Sequence, residues 1–130
     1  MTNGANPRQA NGSARRKLSA RVKAQGRPCW ICGREIDLSL TSTRRADGRT
    51  VPHPQRFELD EDKPVSRWRE FGYPSPTAAA LDPDNVGPSH RLCNQRKGNK
   101  TLEEYRAAQN GSHALSERSI AEQYPTSQRW

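Results

Sequence analysis

Residues 82–100 read DPDNVGPSHRLCNQRKGNK, and within them His90-x-x-Cys93 repeats the spacing of Cys29-x-x-Cys32. Two donors three residues apart can close on one metal ion, and the two pairs together make a Cys3His set, which suits tetrahedral zinc. In Pro28-Cys29-Trp30-Ile31-Cys32-Gly33 the thiols flank a tight turn that Gly33 helps to close. A lone CxxC also serves as a redox pair, but no thioredoxin-like βαβ pattern surrounds this one. With all four positions filled, the expected zinc is structural and leaves no open site for chemistry. The three cysteines are an odd number, which argues against a closed disulfide framework.

Composition calls for such a cross-link. Of 130 residues only 31% are hydrophobic and 28% are charged, with 9 Gly and 10 Pro. One small domain with tails is expected, with a core too poor to stand on apolar burial alone. No uncharged apolar run approaches the roughly 20 residues of a membrane span, and no signal-type apolar segment follows Met1. A soluble, cytoplasmic protein without a membrane partner is the expectation. Lys and Arg number 22 against 14 Asp and Glu, a net charge of +8. A positive field of that size favours polyanions, nucleic acid first.

Outward from the two metal pairs the chain divides into three. Residues 1–26 read as a basic flexible N-terminal arm. Ser13–Gln25 within it can form a short helix, with Ser13 as cap and Gly26 as stop. Leu18 and Val22 give that helix only a thin apolar stripe, so a solvated leader and a DNA-phosphate arm are both open. Residues 27–109 form the ordered domain, and 110–130 a polar tail with a weak helical stretch at 116–123. Within the domain, 41–55 read as a polar loop turning at Asp47-Gly48. Phe57-Glu58-Leu59 and Val86–Ser89 read as short strands. Ser75-Pro76 starts a short helix ended by Asp82–Asn85, His90–Lys100 reads as a basic helix, and Thr101 caps another.

Four of the six residues from Phe57 to Asp62 are acidic, in a strongly basic chain. Crowded carboxylates repel one another. They mark either an oxygen site for a cation such as Mg2+ or a loop neutralised by nearby arginines. Asn85 and Asn94 add two amides downstream.

FELDEDKPVSRW followed by DPDNVGPSHRLCNQRKGNK, with the CxxC upstream, resembles the HNH (ββα-metal) endonucleases, and more narrowly the small HNH proteins of actinobacterial phages. The resemblance covers about residues 27–100, and LCNQRKGNK with the CxxC is its most specific part. It implies an α+β fold: a small zinc-stabilised ββα-metal domain with short flanking helices and disordered tails. It implies a metal-dependent DNA endonuclease in which Asp60 and Asn94 hold catalytic Mg2+ or Mn2+. Residue 61 is then the base that activates water, and Asn85 orients it. Arg91, Arg96, Lys97 and Lys100 grip flanking phosphates.

The family base is usually His, and here it is Glu61, whose ordinary pKa near 4.3 makes it the weaker base at neutral pH. His53, seven residues before Asp60, is a candidate substitute if its loop folds back. The phage resemblance further implies a role in DNA packaging beside terminase subunits, in the host cytoplasm. The alternative is a non-catalytic, zinc-stabilised DNA-binding protein with a degenerate HNH site.

Overall fold

The computed structural model describes residues 12–110. The expectations for residues 1–11 and for the tail beyond 110, its helical stretch included, lie outside the described residues. The chain folds as a small α+β domain: α1 (Gly12–Ala24), β1 (Ser42–Arg44), β2 (Thr50–Pro52), β3 (Phe57–Glu61), a 3-10 turn (Val65–Arg67), α2 (Pro76–Leu81), a second 3-10 turn (Pro83–Asn85), β4 (Val86–His90) and α3 (Arg91–Lys97). A last helix, α4, covers 102–110. Among the described residues, no helix is long and apolar enough to cross a membrane.

Two antiparallel pairs make up the strands. In the central one, Phe57 faces His90 and Glu61 faces Val86. Pro88, opposite Leu59, has no N–H to give, and its carbonyl turns outward to accept the Trp30 N–H at 2.9 Å. That bond sews the CxxC knuckle to the outer edge of β4, leaving β3 as the open edge. The other pair, β1 with β2, lies where the sequence reading expects only a loop. All but one of its six residues are exposed, so no alternating pattern betrays it. Its tip is the expected Asp47-Gly48 turn, with Gly48 at φ +88°.

Helix α1 is part of the fold and no free arm. Leu18 and Val22 are buried against Phe57, Leu59 and Val86. The stripe is thin because the strand it covers is short, and Arg15, one turn before Leu18, extends it with hydrogen bonds instead of apolar contact. A second small cluster joins Val65, Ala79 and Ala80 beneath Trp68 and Tyr73. Helix α2 starts as expected: the Ser75 hydroxyl accepts the Ala78 N–H at 3.1 Å and Pro76 opens the first turn. Thr101 and Glu104 form a reciprocal capping box at the start of α4, with both bonds at 3.0 Å.

Helix α3 follows β4 without a loop and packs back on β3, so β3, β4 and α3 make a compact ββα unit. His90 ends the strand and Cys93 lies in the first turn of the helix. The metal pair therefore sits at the strand–helix corner.

Candidate metal centre and cleft

Cys29, Cys32, His90 and Cys93 converge, with one donor atom of each within 4.8 Å of all the others. The Cys32 and Cys93 sulfurs lie 3.4 and 3.8 Å from His90 Nδ1. Tetrahedral zinc with Zn–S near 2.3 Å and Zn–N near 2.1 Å sets donor separations of roughly 3.5–3.8 Å, so the four side chains fit a zinc ion. On its far side the imidazole meets the Glu35 carbonyl through Nε2 at 3.0 Å, which turns Nδ1 to the thiols. The Cys29 sulfur accepts the Cys32 N–H, and the Cys32 sulfur accepts the Arg34 N–H, both at 3.5 Å. Burial, and then the neighbouring Cys29 and Cys32 thiols, push the Cys93 thiol up to about 12. A cation at this site would favour the ionised Cys93 thiol.

A cleft of about 1010 Å³ runs along the open edge of β3, between α1 on one side and α3 with residues 98–99 on the other. Successive strand residues point to opposite faces, which decides where each carboxylate goes. Glu58 and Asp60 turn toward α3, while Phe57, Leu59 and Glu61 turn toward α1. Asp60 is 2% exposed. Its Oδ2 accepts the Trp30 indole N–H at 2.9 Å, and its Oδ1 lies 3.3 Å from the Lys97 ammonium. Burial pushes Asp60 up to about 6, against the pull of Lys97 and Trp30 and with help from the Glu61 charge. Glu61, 5% exposed, meets the Arg15 guanidinium at 2.7 Å. Arg15 also binds the carbonyls of Leu59 and Ala80, so one side chain locks α1 to β3 and α2.

Asn85 is 2% exposed and acts on the backbone. Its amide nitrogen donates to the carbonyls of Lys63 and Ala79, its side-chain oxygen accepts the Lys63 N–H at 2.8 Å, and its carbonyl accepts the Asp62 N–H at 2.8 Å. The side chain thus fixes the turn that leaves Glu61 without touching the Glu61 carboxylate. Asn94 lines the same cleft as Asp60, but its amide donates to Glu58 at 2.8 Å. Arg91 takes the other Glu58 oxygen at 2.9 Å.

The four expected phosphate-gripping cations separate. Arg96 and Lys100 are exposed, Arg91 is half-buried on Glu58, and Lys97 is inside at 1% exposure. Its ammonium donates to the Glu61 and Lys100 carbonyls at 2.9 and 2.8 Å. The spacing signals this: 90, 93, 94 and 97 share one helix face, the one that carries the metal donors. His53 stays at the opposite end of β3 from Asp60, its Nδ1 accepting the Gln55 N–H, and it does not line the cleft. Glu58, Arg15 and Trp30 are site residues the sequence reading missed. Strand alternation points to the first and the 15-18-22 helical stripe to the second; nothing in the sequence points to Trp30.

No family model, characterised protein or solved structure matches the chain.

Proposed function

We propose that the protein is a metal-dependent DNA endonuclease of the HNH type, held together by structural zinc. The observation that carries this reading is a pair of adjacent buried carboxylates, Asp60 and Glu61, at the floor of a cleft in a ββα unit whose strand–helix corner bears the Cys3His group. Buried acids in a chain of charge +8 sit where a cation and a phosphate can meet. Asp60 and Asn94, which line the cleft together, are the residues that would hold Mg2+ or Mn2+. A divalent ion supplies charge stabilisation at the scissile phosphate and the leaving oxygen. Glu61 takes the proton of the attacking water, Arg15 fixes the Glu61 carboxylate, and Asn85 holds the turn behind it. In a phage, such an enzyme would work beside terminase in DNA packaging.

One observation favours a second reading. Lys97 already supplies a cation at Asp60, and Asn94 is engaged by Glu58, as in a DNA-binding protein whose nuclease site has degenerated. Supercoiled plasmid incubated with zinc-loaded protein separates the two. The enzyme converts it to nicked or linear DNA when Mg2+ or Mn2+ is added, and not when zinc is the only metal present. A binding protein retards the plasmid and leaves it intact under every metal.

A further inference from the structure

The cations around the cleft fall into two sets. The inner ones are matched to carboxylates: Arg15 with Glu61, Lys97 with Asp60, Arg91 with Glu58. Arg16, Lys23 and Arg56 also line the cleft, and among the described residues none of them has a carboxylate within ion-pair distance. Lys23 lies over the Phe57 ring at 5.5 Å, and Arg56 reaches the Thr41 carbonyl at 3.3 Å. Neither contact offsets a charge.

Helix phase explains the separation. Residues 15, 18 and 22 form the inward stripe of α1, and each of 16, 19 and 23 follows one position later, which turns that stripe about 100° toward the cleft. Because Leu18 and Val22 are buried, the cleft-facing stripe is held in place rather than carried on a loose arm. Arg16 and Lys23 stand seven residues apart, about 10 Å along the axis. Both long side chains can therefore reach phosphates of one DNA strand, whose charges recur about every 3.4 Å of helix axis. Ser19 sits between them with a hydroxyl that suits a phosphate oxygen.

We propose that the α1 rim of the cleft, Arg16, Ser19 and Lys23 continued by Arg56, is the track that binds the phosphate backbone of duplex DNA and lays it over Asp60 and Glu61. The proposal rests on the nucleic-acid reading above and moves the grip from α3 to α1. It also accounts for the inner arginines and lysine being matched: they shape the floor, and the rim carries the free positive charge.

The test is binding of the zinc-loaded full chain to a 20-base-pair duplex, measured without added Mg2+ or Mn2+ and without chelator, against salt concentration. Three proteins are compared: wild type, Arg16→Gln/Lys23→Gln/Arg56→Gln, and Arg96→Gln/Lys100→Gln on the exposed face of α3. Each phosphate contact contributes roughly 0.9 to the slope of log affinity against log salt. The rim variant is expected to bind at least tenfold more weakly, with a slope lower by about 2–3, and the α3 variant to lose less. The double variant Arg16→Gln/Lys23→Gln, both at exposed positions, is expected to lower the slope by about 2 and guards against misfolding through Arg56. If the rim variant keeps the wild-type slope while the α3 variant loses it, the track is overturned and the nucleic-acid reading stands. If the wild-type chain fails to bind the duplex at low salt, both are overturned together.

Discussion

The Lys97 ammonium stands 3.3 Å from the Asp60 carboxylate with both side chains buried. It binds two backbone carbonyls as well, at Glu61 and Lys100, so it joins the end of β3 to the turn after α3. Removing one member of a buried pair leaves an uncompensated charge, which typically costs about 3–5 kcal/mol. Lys97→Met is therefore expected to destabilise zinc-loaded protein by about that much in denaturant unfolding, and Asp60→Asn/Lys97→Met to recover part of it. A single-variant loss below about 1 kcal/mol would place Lys97 outside the fold's supports.

Asp60 also sets a pH dependence. Its folded pKa, about 6, lies above the ordinary carboxylate value, so the folded protein binds this proton more tightly than the unfolded chain does. The stability contributed is fully present below the ordinary value, is lost as pH rises through 6, and amounts to at most about 3 kcal/mol. Asp60→Asn removes it. Unfolding free energies of zinc-loaded wild type and variant, compared from pH 5 to pH 8, are expected to shift in favour of the variant as pH rises. A constant difference across that range would contradict the raised Asp60.

A zinc ion held by the Cys3His group is expected to carry much of the remaining stability. The apolar clusters are small, and the Trp30 N–H donated to the Pro88 carbonyl ties the knuckle to β4. One zinc per chain is expected by elemental analysis. Chelation is expected to abolish cooperative unfolding, and zinc to restore it. Cys29→Ser, at the most buried ligand, should weaken zinc binding strongly. Retention of a sharp thermal transition in metal-free protein would show that the core suffices.

Gly87 faces Asp60 across the sheet, and a Cβ there would overlap the Trp30 ring. Gly87→Ala must push the indole away and break its bond to Asp60. Overpacking of this kind costs about 1–3 kcal/mol. Reduced stability with a shifted Trp30 fluorescence spectrum is expected, whereas wild-type stability would mean that the indole moves freely.

What the sequence discloses follows from how local each signal is. The two x-x pairs, the Ser75-Pro76 helix start, the Asp47-Gly48 turn and the β3 and β4 strands rest on short-range chemistry, and each is found in place. The β1–β2 pair carries no alternation because neither face is buried. The N-terminal helix was legible only in part. Leu18 and Val22 mark its face, but the Arg15–Glu61 bond spans 46 residues and no pattern announces it. For the same reason Asn94 and Asp60, which the HNH resemblance joins through a metal, have other partners here. Glu58 lies two residues before Asp60 on the same strand face and takes the Asn94 amide first.

The measurement that reaches the central claim most directly is the rate of plasmid cleavage in Mg2+ by zinc-loaded wild type, Asp60→Asn, Glu61→Gln and His53→Ala, each verified for zinc content and fold. Loss of about 10²-fold or more for the first two variants, as for removal of a general base, with His53→Ala at the wild-type rate, is what the account predicts. Equal rates for Glu61→Gln and wild type, or no cleavage by any of the four, would contradict it.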